Sequence, residues 1–187
     1  MSTSSPTPFE LLDLEFGFAL NPKTLEQNLF QASLKWHPDR FALASPEERL
    51  LAEDQMAAIN EAHDLLIDPL SRAEFLLATF PEDPDGQEQR NSDPEFLMEM
   101  MELRETVEVA IKGGSSDETC QLHMDLTRKE SKILAKFGEY WENLQSPPKK
   151  SELAALKHLC EHARYLRSAL LQLQQPLFNP ALIRRDD

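Results

Sequence analysis

The stretch Trp36-His37-Pro38-Asp39-Arg40 (WHPDR) decides the fold of the N-terminal part of the chain. Pro38 disfavours helical backbone at the residue before it and has no N–H of its own. A helix that arrives from the N-terminal side must therefore end near Trp36. The stretch predicts a break between two helices, with a rigid, charged tripeptide at the turn.

Helical patterns lie on both sides of this break. The first helix is predicted to begin at Pro22, with Asn21 as its N-cap. Its apolar stripe consists of Leu25, Leu29, Ala32 and Trp36. The second helix is predicted to begin near Pro46 and to end at Asp68, and its stripe consists of Ala52, Met56, Ile59, His63 and Leu66. Two amphipathic helices joined by a short loop pack antiparallel, so we expect a helical hairpin with the tripeptide at its tip.

Four segments of this region resemble a J-domain. They are PFELL (Pro8–Leu12), HPDRF (His37–Phe41), INEAHDLLIDP (Ile59–Pro69) and RAEFLL (Arg72–Leu77). J-domain proteins are co-chaperones whose His-Pro-Asp loop, with the adjoining second helix, stimulates ATP hydrolysis by a DnaK-type chaperone. The resemblance implies a hairpin with short flanking helices. It also implies that the residues contacting the chaperone are Lys35, His37, Pro38, Asp39 and Arg40.

The composition of the chain sets broad limits. With 187 residues and 41% hydrophobic content, it holds enough apolar material for one sizeable or two small cores, but no run long enough to cross a membrane. The N-terminal MSTSSPTP lacks the basic start and apolar core of a secretory signal and reads as a flexible arm. Cys120 and Cys160 stand alone, without metal-binding or redox spacing. We therefore expect a cytoplasmic protein whose thiols have no functional role.

The charge is negative and uneven. The net charge is −14, which argues against nucleic-acid binding because phosphate recognition needs Lys and Arg. Residues 1–80 carry −8, residues 81–112 carry −7 and residues 113–187 carry +1. A partner that meets the first two segments should bring positive charge. The alternative is that the acidic surface only maintains solubility.

A polar, apolar-free run, PEDPDGQEQRNSD, separates two parts of the chain. The predicted organisation is a flexible arm at 1–7, the J-domain at 8–80, a linker at 81–93, a three-helix bundle at 94–175 and a tail at 176–187. The bundle's first helix is predicted from Pro94, after an Asp93 cap, to Lys112; the second follows Ser115 or Ser116, and the third opens at Ser151. The third carries two heptad registers, namely Leu156, Ala163, Leu170 and Leu159, Leu166, Leu173. The fold class is all-α.

The helix after Pro94 has more apolar residues than one packed stripe needs. At roughly 100° per residue, Leu97, Met98 and Met101 point about 100° to 200° away from its core stripe, beside Glu102 and Glu105. Such a patch is either a protein-binding surface or a face that another part of the chain covers. Tyr165 lies off the heptad seam of the last helix. It is either an interface anchor or an ordinary surface residue.

The segment FLMEMMELRE (Phe96–Glu105) resembles the start of the C-terminal domain of the HscB family. HscB proteins are co-chaperones of iron–sulfur cluster biogenesis that carry the scaffold protein IscU to the DnaK-type chaperone HscA. The resemblance implies two partners, a DnaK- or HscA-type ATPase and an IscU-like scaffold, and no cofactor. Its scaffold-binding positions correspond to Leu97, Met98, Met101, Glu102, Glu105 and Tyr165. Val109 departs from the pattern, because the family offers an acidic contact there.

The sequence gives little support for an enzymatic activity. His37 and Asp39 could form a base with its orienting carboxylate, but no Ser or Cys nucleophile stands in a recognisable motif. His63 lies on an apolar stripe and is expected to be a core or interhelical histidine. His158 and His162 share a helical face without a third metal ligand at a fixed offset. We expect a monomer without enzymatic activity or a metal site. An alternative function is a general J-domain adaptor that delivers a different client to DnaK.

Overall fold

The computed structural model describes the chain in three ranges, 6–81, 94–113 and 115–178. All regular secondary structure in these ranges is helical, which confirms the predicted all-α fold. None of the helices described is both long enough and apolar enough to span a bilayer. The chain divides into two compact units, Met1–Leu76 and Leu77–Asp187.

Several sequence predictions lie outside the described residues. They concern residues 1–5 of the arm, residues 82–93 of the linker with the Asp93 cap, and residues 179–187 of the tail.

The first unit is built on a helical hairpin. Its helices are α1 (Pro8–Leu11), α2 (Pro22–Trp36), α3 (Pro46–Ile67) and the first part of α4 (Pro69–Ala78), with a 3₁₀ helix (Pro38–Phe41) between α2 and α3. The side chain of Asn21 caps α2 by accepting a hydrogen bond from the N–H of Lys23. A reciprocal capping box between Ser45 and Glu48 begins α3. Both helices therefore begin where the sequence predicts.

The two predicted stripes face each other across the hairpin. Leu25, Ile59 and Leu66 are fully buried, and α1 adds Phe9 to the same core. The apolar spacing of the sequence did not predict that Arg72 would be buried. Its guanidinium donates to the carbonyl of Leu66. Burial lowers the pKa of Arg72, while the nearby carboxylate of Asp68 raises it.

The second unit contains α5 (Pro94–Gly113), α6 (Ser116–Glu142) and α7 (Lys150–Phe178). A capping box between Ser115 and Glu118 begins α6. The long contact between α6 and α7 forms the seam of this unit. Both predicted heptad registers of α7 are buried in it, that is Leu156, Leu159, Ala163, Leu166, Leu170 and Leu173.

Helix α5 packs mainly on α7 and much less on α6. Its inner face adds Val107 to a cluster with Leu126 and Leu166. A partly buried ion pair also joins α6 to α7. In it, Arg167 Nε donates to the buried Glu130 Oε1 at 2.6 Å. Apolar spacing in the sequence does not predict this pair. The arginine offsets part of the free-energy cost of burying the carboxylate of Glu130.

The α6–α7 seam can be tested with two leucines of α7. Leu166 is 2% exposed and Leu171 is 55% exposed. Leu166→Ala should lower the free energy of unfolding by about 2–5 kcal/mol, since it leaves a cavity. Leu171→Ala should change it by less than about 0.5 kcal/mol. Urea unfolding followed by circular dichroism measures both; equal effects would contradict the packing described.

Candidate functional site

The His-Pro-Asp tripeptide lies in the connection between α2 and α3. Helix α2 ends at Trp36, and His37 is extended with φ −60° and ψ 130°, the conformation that Pro38 imposes on its predecessor. The side chain of His37 is 55% exposed and that of Asp39 is 93% exposed. Both side chains can therefore contact another molecule.

The backbone beneath this tip is held by a hydrogen bond that the proline makes necessary. In a continuing helix the carbonyl of Leu34 would accept from the N–H of residue 38, but Pro38 has none. Arg40 Nη1 donates to the carbonyl of Leu34 at 3.0 Å instead. The guanidinium thus replaces the missing donor and ties the tip to the last turn of α2.

Shorter-range contacts fix the tip further. The N–H of Asp39 donates to His37 Nδ1 at 3.3 Å, and the N–H of Arg40 donates to the carbonyl of His37 at 3.0 Å. The rings of Trp36 and Phe41 stack with centroids 6.0 Å apart and planes at 9°. We define the docking tip as Lys35, His37, Pro38, Asp39 and Arg40, all of which are exposed.

Two large apolar side chains beside the docking tip were missed by the sequence reasoning. Phe30 and Leu34 are exposed on α2, one helical turn apart. A helical projection would have found them, since they point roughly 130° to 170° away from the buried stripe. Lys35 follows them and places its Nζ 5.3 Å from the ring centroid of Trp36. The end of α2 therefore presents apolar and cationic groups together.

The second exposed surface lies on α5. Leu97, Met98 and Met101 are 48%, 62% and 72% exposed, as the helical geometry predicts. Glu102 and Glu105 beside them are exposed. We define the α5 patch as these five residues.

The carboxylates of α5 are not equivalent. Glu108 binds Arg104 at 3.5 Å and Lys112 at 3.3 Å within the helix. The hydrogen bond from Lys112 is the main reason that the pKa of Glu108 is lowered. Among the residues that the structure describes, Glu102 and Glu105 have no ion-pair partner. Their carboxylates are therefore available to a cationic partner.

Tyr165 is half-buried on α7 rather than part of the exposed surface of α5. Its hydroxyl donates to the carbonyl of Met100 at 2.6 Å. On the same side of α5, the ring of Phe96 contacts the rings of His158 and His162, with centroids 5.1 Å and 5.2 Å away. The structure thus brings Tyr165 next to the α5 patch without making it one of its exposed members.

Two other histidines contact carboxylates of neighbouring helices. His63 contacts Glu26 of α2 through Nε2 at 3.3 Å, so it is the interhelical histidine that the sequence predicts. His162 Nε2 lies 3.8 Å from Glu99 Oε2. Within the described ranges no group of three or more His, Cys, Asp or Glu side chains is arranged to hold a metal ion. The described residues thus present two exposed surfaces, the docking tip and the α5 patch.

A family model and curated relatives both show similarity to HscB proteins. The family model for the HSCB C-terminal oligomerisation domain matches residues 92–174. A co-chaperone protein HscB homolog from Vibrio vulnificus (strain YJ016) is 34% identical over 172 residues, which covers 91% of this chain and 98% of that protein. A homolog of the same name from Vibrio atlanticus (strain LGP32) is 46% identical over 100 residues, 54% of this chain and 58% of that protein.

Solved structures show the same similarity. The chaperone HscB from Vibrio cholerae matches with a TM-score of 0.72 and 28% identity, over 91% of this chain and 96% of that one. The human co-chaperone protein HscB matches with a TM-score of 0.75 over 91% of this chain and 82% of that one. At 22% identity, this second match concerns the fold alone.

The surroundings of His162 predict a pH dependence. Burial lowers the pKa of His162 below its ordinary value of 6.5; His158 and Lys129 act in the same direction, and Glu99 opposes them. The unfolded chain therefore takes up the proton first, and stability should fall as the pH drops through about 6.5.

His162→Gln should remove this part of the acid sensitivity. The urea midpoint of the wild type should fall more between pH 7.5 and pH 5.5 than that of the variant. Trp141 fluorescence in a Trp36→Phe background reports on the second unit. His37→Gln, at an exposed position, is the control, and a pH-independent difference for His162→Gln would contradict the prediction.

Proposed function

This chain belongs to the HscB family of co-chaperones, and from that premise we propose that it stimulates the ATPase of a DnaK- or HscA-type chaperone and delivers an IscU-like iron–sulfur scaffold protein to it. The role proposed for the docking tip is contact with the ATPase. The role proposed for the α5 patch is contact with the scaffold. The observation that carries the proposal is a tip whose backbone is fixed while His37 and Asp39 remain exposed.

A fixed tip suits the task of biasing a partner's conformation. A ligand shifts a conformational equilibrium only by the difference in its binding free energy for the two states. The hydrogen bond from Arg40 to Leu34 keeps the tip ordered before contact, so less conformational entropy is lost on binding. The chemistry of hydrolysis then belongs to the chaperone, and His37 acts as a contact residue. We assign this chain no enzymatic activity of its own.

The surface proposed for chaperone contact extends along α2. Phe30 and Leu34 are exposed beside the tip. Lys23 and Lys35 lie on the same helix, which has Glu26 as its only acid. Helix α3 carries six acids and one base, so positive charge in the hairpin concentrates on α2. An acidic partner surface with an apolar spot matches this side better than the α3 side.

The α5 patch has the composition of an interface centre. Flexible Met side chains adapt to a partner's shape, and Leu97 adds a branched apolar anchor. The exposed Glu102 and Glu105 supply a charged rim that fits a basic partner. Val109 is 64% exposed and extends the apolar part of this face instead of adding another carboxylate.

The alternative role, as a general adaptor with another client, is not favoured. The HscB homolog from Vibrio vulnificus (strain YJ016) covers 91% of this chain, and the range of the family model, residues 92–174, includes the α5 patch. We propose that the protein works as a monomer in the cytoplasm.

The chaperone contact is tested by His37→Gln and Asp39→Asn. Each variant should abolish stimulation of ATP turnover by a DnaK-type chaperone, because each alters an exposed contact group of the tip. Steady-state phosphate release measures the stimulation. Scaffold affinity, measured by calorimetry on the same variants, should be unchanged. Full stimulation by either variant would refute the proposed role of the tip.

The scaffold contact is tested by replacing Leu97, Met98 and Met101 together with Ser. Binding of an IscU-like scaffold should weaken by more than about 2 kcal/mol if these side chains form the centre of the interface. A control that replaces the exposed Met124 and Leu171 with Ser should bind normally. Calorimetry measures both, and equal affinity for the two variants would remove the patch from the interface.

A further inference from the structure

The first turns of α5 are attached to α7 at two points. At one point, the hydroxyl of Tyr165 donates to the carbonyl of Met100 at 2.6 Å. At the other, the ring of Phe96 lies edge-on against the rings of His158 and His162. The two attached residues, Phe96 and Met100, are interleaved with the three exposed apolar members of the α5 patch.

These two attachments restrict the rotation of α5 about its own axis. Phe96 and Met100 are one turn apart, a rise of about 6 Å, and both belong to the inner face. A carbonyl oxygen has two lone pairs, so that of Met100 can accept from Tyr165 in addition to its helical donor. Contacts with α6 hold this helix less, since α5 packs mainly on α7. The direction of the outer face therefore depends on the contacts with α7.

We propose that Tyr165 is a positioning residue, whose hydroxyl, together with the seat of Phe96 between His158 and His162, orients the α5 patch for its partner. This inference rests on the proposed scaffold-binding function and deepens it. A surface that is already oriented loses less conformational freedom on binding, so it binds more tightly than the same side chains on a loosely held helix.

The geometry distinguishes this role from direct contact. Tyr165 is half-buried, whereas the apolar members of the patch are exposed. Its hydroxyl is already used within the molecule. Direct contact would therefore use the ring, but positioning uses the hydroxyl. Removal of the hydroxyl alone separates the two roles.

Tyr165→Phe removes the hydroxyl and keeps the ring. In the full-length protein, this variant should weaken the affinity for an IscU-like scaffold about three- to tenfold, the range for one hydrogen bond. Amide hydrogen exchange in residues 97–103 should become faster. ATPase stimulation by the variant in the absence of scaffold should be unchanged. Tyr140→Phe, which alters the only other tyrosine, is the matched control and should change neither quantity.

A second variant tests the other attachment. Phe96→Leu keeps an apolar side chain but loses the ring contacts with the two histidines. It should change exchange and affinity in the same direction as Tyr165→Phe.

Each result has a definite meaning. Faster exchange together with weaker binding in Tyr165→Phe supports the inference. Weaker binding with unchanged exchange shows that the hydroxyl contacts the partner, and unchanged binding shows that the attachment does not matter for it; either result overturns the inference. If the wild-type protein binds no scaffold, the proposed function fails and this inference fails with it. Normal wild-type binding with an unaffected variant refutes the inference alone.

Discussion

Pro38 removes the N–H that the carbonyl of Leu34 would otherwise bind, and the guanidinium of Arg40 takes its place. The proline therefore ends α2, and the arginine two residues later satisfies the carbonyl that the proline leaves without a helical donor. Because the replacement donor comes from the tip itself, the exposed tripeptide is attached to the helix that it terminates. The stacking of Trp36 on Phe41 adds a second attachment. A short connection thus keeps a defined shape while His37 and Asp39 face solvent.

In the second unit, an apolar surface is exposed on a helix that remains packed against its neighbours. Among the described residues of this unit, every buried leucine lies on α6 or α7, so the seam between these helices forms most of the apolar core. Helix α5 adds Val107 to that core and leaves its other face in solvent. Its attachment to α7 through Tyr165 and Phe96 lies under the exposed residues. The division of one helix into an attached face and a free face makes the α5 patch possible.

Much of the fold follows from local features of the sequence. Caps at Asn21, Ser45 and Ser115 begin three helices where they were predicted, and two heptad registers placed the buried leucines of α7. The exposure of Leu97, Met98 and Met101 also followed from helical geometry. The exposed pair Phe30 and Leu34 was available from the same geometry but was overlooked. The binding roles of the docking tip and the α5 patch stay predictions, because exposure permits contact without identifying a partner.

The sequence by itself determined where helices begin and end and which side of each is apolar, because caps, prolines and apolar spacing act within a few residues. It also gave the family, through the motifs around His37 and Phe96. Only the tertiary structure decided which polar groups meet. Tyr165 reaches Met100 across 65 positions, and Arg167 reaches Glu130 across 37. Such pairs depend on how whole helices pack, and a pattern with a period of one helical turn carries no information about the rotation and offset that bring them together.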